Sequence, residues 1–446
     1  MAAPGRGTRL GLFYCANAGD KRRMSRSLAR ALRARSSRPE EFAMPRPLEG
    51  IRVIDWTIWQ QGPVSSMMLA DLGADVIKIE EREKGDPGRG VARASGQDVS
   101  SMPNFYFEAH NRGKRSVTLD LKKPEAREVI YKLVATSDVF IQNFRPGAAK
   151  RAGLDYETLR THNPKLIYAS GSGFGKNGPD AERPCMDYLG LARSGIMNAV
   201  GGPDDPPMAV QGAIADQMAG TMLSYGVMTA LLHRERHGEG QEVDVSLLSA
   251  MSWLQGLSVA ARLMIGNELP RSKRDSTFNP LWNHYRCADG RWMAFAMAQA
   301  DRWWSDFAKT VGIPELIDDE RFSTMMNRGV NAAALIEILD EAFAKRSSEQ
   351  WCKDLDAGGD FIFTLVNSVT DLPDDPQVRA NNVIAQVEHP NLGPLEMLNL
   401  PVTFSQSPSE ITSTAPEFGQ HTEEVLVEEL GYTWDEVAAL REKQVI

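Results

Sequence analysis

From Met44 to about residue 172, short β-branched runs alternate with stretches of helical periodicity, and that alternation admits very few architectures. Residues 51–56 (IRVIDW) read as a strand, 63–72 as a helix, and 74–80 (ADVIKIE) as a strand that ends in charge. Residues 116–121 (SVTLDL) alternate as a strand does. Pro124 then opens a helix over 125–137, with Val129, Ile130, Leu133 and Val134 on one face. Residues 138–144 and 165–172 are further strands, separated by a helical stretch near 147–162. Such order predicts an α/β fold with a parallel, doubly wound sheet, whose ligands bind outside the carboxyl ends of the strands.

The pattern changes after about residue 250. Five of the nine tryptophans (Trp282, Trp292, Trp303, Trp304, Trp351) fall between Leu281 and Trp351. HYRCADG and RWMAFAM read as a hairpin around Asp289-Gly290, followed by helices over 302–311 and 333–345. This predicts a smaller α+β domain over 275–365, inserted into a large domain that begins at 44–250 and resumes at 370–446. The last helix opens with a capping box, Thr433 and Glu436.

Charge and cysteine spacing narrow the function. The chain carries −9 overall, but residues 1–43 hold ten Lys/Arg against Asp20, Glu40 and Glu41, which leaves the body at −16. A body that acidic is a poor partner for nucleic acid. The extension resembles a mitochondrial presequence in SRSLARALRARSS; the plainer reading is an upstream start codon before Met44, and these residues are set aside from fold reasoning. Cys15, Cys185, Cys287 and Cys352 are far apart, which fits neither a disulfide framework nor a zinc site and suits a reducing, cytoplasmic setting. His233 and His237 are the one histidine pair at helical spacing, without the glutamate of a metalloprotease helix, so no metal is expected. The most apolar stretch, 213–232, is rich in small residues and contains Asp216, so it reads as a buried core helix and no membrane partner is expected.

Two features could carry chemistry. GSGFG (171–175) follows a strand, but G-x-G-x-x-G fails at Lys176, so a dinucleotide fingerprint is absent. Its glycines mark either a tight strand exit or a close backbone approach. Asp216 stands in the first turn of the long helix. There an acidic residue ordinarily caps the helix or complements its dipole. A poorly solvated carboxylate beside an activated acyl group is also a competent nucleophile.

The segments PLEGIRVIDWTIWQQGPVSSMMLADLGADVIKIE, NRGKRSVTLDLK, NFRPGAAKRAGLDY, YASGSGFGKNGP, MDYLGLARSG and GAIADQMAG, in this order, resemble the class III CoA-transferases, and the likeness runs from Pro47 to GQHTEEVLVEELGY. The resemblance implies a Rossmann-like large domain, a small domain, and two subunits threaded like linked rings. It implies transfer of CoA from an acyl-CoA thioester to a free carboxylic acid. Coenzyme A is then substrate and product, and no permanently bound cofactor is expected. Asp216 matches the family nucleophile and Gln60 the glutamine beside it. The CoA contacts match Gln61, Leu119, Asp120, Leu121, Lys122, Asn143, Phe144, Arg145, Arg151, Pro184, Cys185, Met186 and Asp187. Two positions depart from the formyl-CoA branch: Glu81 replaces an arginine, with Arg82 adjacent, and FNPLWNHYRC replaces a glycine-rich loop. The alternative of the same fold is an α-methylacyl-CoA racemase. That chemistry needs a base where Met186 stands, and a thioether cannot carry the proton. Trp59, Trp282, His284 and Tyr285 read either as lining of an acyl pocket or as core of the small domain.

Overall fold

The computed structural model describes residues 44–91, 93–94, 97–98, 100, 104–271 and 273–446; the basic extension, with both of its readings, lies outside the described residues. Residues 46–446 form one unit. Its centre is a six-stranded sheet of β1 (Arg52–Trp56), β2 (Asp75–Glu81), β3 (Lys114–Leu119), β4 (Val139–Gln142), β5 (Ile167–Ser172) and β6 (Glu242–Ser246). Every pair is parallel and the spatial order is β3-β2-β1-β4-β5-β6, the doubly wound arrangement expected from the alternation. The order reverses between β1 and β4, so a crevice opens where the chain leaves the carboxyl ends of those two strands.

Period-two side-chain alternation divides the core. Val53, Val76, Val139, Ile141, Ile167 and Ala169 face one layer, while Ile54, Ile77, Ile79, Phe140 and Tyr168 face the other. The first layer is covered by α1 (Gln61–Asp71), and the short α2 (Phe105–Asn111) packs on α1. The second is covered by α3 (Pro124–Ala135), which buries Val129, Ile130, Leu133 and Val134 as its periodicity required. Then come α4 (Pro146–Ala152), α5 (Asp187–Ser194) and the 24-residue α6 (Ile214–His237), which lies on the sheet beside α1. Small residues let α1 and α6 approach: a Cβ at Gly220 would sit 2.6 Å from the Gln61 carbonyl oxygen. Two helices, α7 (Leu247–Leu254) and α8 (Gly256–Ile265), follow, and α8 buries none of its residues.

The aromatic-rich stretch has its own core, drawn from residues 281–361, around an antiparallel sheet of β7 (His284–Arg286), β8 (Trp292–Phe295) and β9 (Phe363–Leu365). The β7–β8 hairpin turns at Asp289-Gly290, with Gly290 at φ +83°. Helices α9 (Asp301–Val311), α10 (Ala332–Phe343) and α11 (Ser348–Gly358) complete it. Trp303, Trp304, Trp351 and Tyr285 are buried there, so these rings are core, whereas Trp282 is exposed. After a hairpin of β10 (Ile384–His389) and β11 (Gly393–Leu398), the chain returns to the large sheet. Val425, Leu426, Val437, Leu440 and Val445 pack on the face that α3 covers. The final helix, α12 (Trp434–Glu442), carries the Thr433–Glu436 capping box.

Candidate active site

Asp216 occupies the first turn of α6 but does not cap it. That role falls to Asp187 at the start of α5, whose Oδ1 accepts the N–H groups of Ala215 (2.7 Å) and Asp216 (3.1 Å). The Asp216 carboxylate therefore makes no hydrogen bond or ion pair among the described residues. It is half-buried, and burial, followed by the charge of Asp187, pushes its pKa up to about 7. The adjoining Ala213 is in the left-handed region at φ +51°, a strained entry to the helix.

Gln60 approaches from the loop after β1. It is buried, and its Nε2 donates to the Ala213 carbonyl (3.3 Å) and to Gln217 Oε1 (3.4 Å), which ties it to the turn that carries Asp216. Gln61 is engaged elsewhere: its amide donates to the Ser172 and Val245 carbonyls at the ends of β5 and β6. Asn143, after β4, is likewise committed, accepting the Ile58 N–H (2.9 Å) and donating to the Ile58 carbonyl (2.8 Å). The glycines of GSGFG serve close approach. A Cβ at Gly173 would lie 2.1 Å from the Cβ of Cys185, so this glycine seats the 184–187 segment that delivers Asp187.

Cys185 offers no rival nucleophile. Burial and the Asp216 charge hold its thiol up to about 11, so it stays protonated at neutral pH. Tyr106 on α2 is a neighbour of these groups that the sequence did not disclose. Burial, then the charges of Asp216, Asp86 and Asp187, raise its phenol above the usual range, which sets the hydroxyl as a donor close to these carboxylates. Its ring stands edge-on to Trp59 (6.4 Å) and to His110 (4.7 Å). Burial holds His110 down to about 4, so the imidazole is neutral at neutral pH.

Beside this cluster, at the carboxyl ends of β1 to β4, lies a cavity of about 760 Å³. Leu119, Asp120, Leu121, Lys122, Phe144 and Arg151 line it, together with Thr57 and Ile58 from the loop that leads to Gln60. Trp56 and Phe144 form an aromatic shelf in it, their ring centres 4.3 Å apart. Lys84, Lys122, Arg127 and Arg151 also face it, and none is ion-paired with another described residue. Unpaired cations beside an aromatic shelf suit a phosphorylated, ring-bearing ligand. Asp216, Gln60, Gln61, Asn143, Arg145 and residues 184–187 are not among its lining residues. Pro184, Cys185, Met186 and Asp187 sit instead at the Asp216 end, and Arg145 is exposed at the start of α4. Arg82 does not line the cavity either, since its Nε donates to the Ile446 carbonyl (2.9 Å); Glu81 does line it while accepting the N–H groups of Glu83 and Lys84.

The sequence profile described as CoA-transferase family III matches residues 48–422. The chain belongs to CoA-transferase family III. It is 33% identical over 409 residues to the succinyl-CoA–D-citramalate CoA-transferase of Chloroflexus aurantiacus, covering 90% of this chain and 98% of that one. It is 32% identical over 419 residues to a formyl-CoA:oxalate CoA-transferase of Streptomyces avermitilis, covering 90% and 100%. The crystal structure of a CAIB/BAIF family protein from Brucella suis superposes with a TM-score of 0.77 at 33% identity, over 86% of this chain and 99% of that one. As a class III CoA-transferase this enzyme acts on CoA thioesters, and the cavity is of the size that small-molecule and cofactor sites occupy.

Proposed function

We propose that this enzyme moves CoA from an acyl-CoA to a free carboxylate by covalent catalysis on Asp216. The observation that carries this reading is the Asp216 carboxylate itself. It is unpaired because Asp187 does the capping, it is poorly solvated, and the Gln60 amide is fixed to the same helical turn. An Asp216 oxygen attacks the thioester carbonyl; the C–S bond breaks, leaving a mixed anhydride and CoA thiolate. The thiolate then attacks the aspartyl carbonyl of the anhydride, releasing the donor acid and forming an aspartyl-CoA thioester. An incoming carboxylate repeats both steps in reverse, giving the new acyl-CoA and free Asp216. The hydroxyl of Tyr106 can donate to the oxyanion that develops at each step, and a Gln60 amide N–H joins it on exchanging Ala213 or Gln217 for the substrate.

On this reading the cavity holds the nucleotide end of CoA, with Lys122 and Arg151 toward phosphates and the Trp56–Phe144 shelf toward the adenine. The pantetheine arm runs along the Thr57–Gln60 loop toward Asp216 and residues 184–187. The division into a large domain (44–250 and 370–446) and an inserted small domain (275–365), the linked-ring homodimer and a cytoplasmic location belong to the same proposal. Import into the mitochondrial matrix is the alternative that residues 1–43 would direct. Asp216→Ala tests the chemistry. Turnover should fall by roughly 10³-fold or more while CoA binding, by calorimetry, stays within about threefold. Turnover near the parent rate in a pure Asp216→Ala protein would remove Asp216 from the mechanism.

A further inference from the structure

Every residue of the loop that delivers Gln60 is held by a side chain from another element. The Thr57 carbonyl accepts from Lys78 Nζ (3.0 Å). Both backbone groups of Ile58 are taken by Asn143. The Trp59 N–H donates to Asp86 Oδ1 (3.1 Å), and Trp59 stands in the left-handed region at φ +64°, where a tryptophan persists only if its surroundings impose it. Lys78 and Asp86 are themselves an ion pair of 2.8 Å with no exposed side-chain surface to speak of. Asp86 is fixed in turn, its backbone N–H donating to Glu80 Oε2 (3.0 Å) while its Oδ1 also accepts the Gly88 N–H (2.9 Å). The next residue after this clamped stretch is Gln60, tied at its far end to the turn of Asp216.

We propose that the buried Lys78–Asp86 pair is a positioning device for Gln60, holding the Thr57–Trp59 backbone in a strained path that aims the amide at the reacting acyl group. Lys78 and Asp86 touch no substrate on this account; they act through the loop. Fold maintenance alone does not require this arrangement. A buried ion pair is often replaceable by apolar residues without loss of stability, whereas a left-handed tryptophan costs stability and is held here by the pair. The proposal rests on the reading that Gln60 and Asp216 serve the transfer reaction.

The test is a double-mutant cycle on the full chain, using the acyl-CoA and carboxylate pair that gives the highest turnover. Lys78→Met/Asp86→Leu removes both charges together, so no charge is left buried alone. It should lower kcat by roughly 10- to 100-fold, with KM for the acyl-CoA changed less than about threefold and melting within a few degrees of the parent. Lys78→Met/Asp86→Asn keeps an acceptor for the Trp59 N–H and should recover most of that loss. In a Gln60→Ala background, the Met/Leu pair should cost less than about twofold, because the group it positions is gone. An unchanged kcat in the Met/Leu variant, or an equal loss with and without Gln60, would overturn the proposal. If the Met/Leu variant does not fold, Asn143→Ser loosens the same loop at Ile58 and must meet the same condition of vanishing in Gln60→Ala. The Asp216→Ala protein, assayed in parallel, reports separately on the underlying reading: turnover without Asp216 would remove that reading, whereas an additive cycle removes only the positioning role.

Discussion

As the proposed nucleophile the carboxylate of Asp216 must be charged to attack, yet burial and Asp187 both favour its protonated form. With its pKa at about 7, close to half of it is ionised at neutral pH, and the ionised half is the more basic nucleophile. The kcat/KM for the acyl-CoA should therefore rise with pH through an inflection near 7. Asp187→Asn keeps an oxygen for the N–H groups of Ala215 and Asp216 but removes the charge. Its inflection should move down, though not to the ordinary aspartate value of 3.8, because burial is the larger cause and remains. A pH–rate profile unmoved by Asp187→Asn would contradict this electrostatic account. Stability must follow with the opposite benefit. The folded state holds a proton on Asp216 up to about pH 7 where the unfolded chain loses it near 3.8, so this residue costs stability as pH rises through that window. Asp216→Asn should thus be more stable than the parent at pH 8, by roughly 1 to 2 kcal/mol given its retained exposed surface, and should lose the advantage at pH 4. Urea midpoints at the two pH values decide it; equal midpoints at pH 8 would show that the carboxylate is well solvated.

In the proposed mechanism helices α1 and α6 carry the two sides of the reaction, Gln60 just before one and Asp216 at the start of the other. Their spacing is set at Gly220, where any side chain meets the Gln61 carbonyl and Val64. Gly220→Ala should force the helices apart, costing roughly 1 to 3 kcal/mol by denaturant melting and, more tellingly, several-fold in kcat. A variant with parent kcat would show that this spacing does not govern the site. Much of this element level was legible in the residues. Five strands of the sheet, the α3 stripe, the Asp289-Gly290 turn and the Thr433–Glu436 box rest on local signals, which a linear reading resolves. The edge strand Glu242–Ser246 carries little strand signal in the sequence because EVDVS is short and half polar, as suits an edge. Strand β3 begins at Lys114, two residues before its apolar run, because Lys114 is buried against Asp55 at 2.9 Å and a sequence gives no sign of such a partner. The site divides in the same way. Asp216 and Gln60 stood out through the family likeness, whereas Asp187 as the cap, Tyr106 as a neighbour and the commitment of Gln61 and Asn143 to backbone arise from contacts across distant segments.

At the scale of the whole molecule, an apolar surface stands out among the described residues. Trp253, Leu257, Leu263 and Met264 on α7 and α8 are 73 to 84% exposed, more than a lone soluble chain ordinarily presents in one place. The proposed linked-ring homodimer would give that surface a partner, and with interlocked subunits neither could leave without unfolding. Sedimentation at nanomolar concentration should still show a dimer, as expected of an interface well over the ~1,600 Å² of a standard one; a monomer that forms reversibly on dilution with activity intact would contradict interlocking. A chain starting at Met44 should turn over like the full chain, and loss of activity or of several degrees of melting temperature on this truncation would assign residues 1–43 a structural role. The central claim, a covalent aspartyl intermediate, is tested most directly by trapping. The enzyme is incubated with acyl-CoA and hydroxylamine, digested, and mapped by mass spectrometry. The account predicts an aspartyl hydroxamate at Asp216 that forms only when acyl-CoA is present. Continued turnover under conditions where acyl-CoA leaves Asp216 unmodified, or label appearing on another residue in its place, would contradict it.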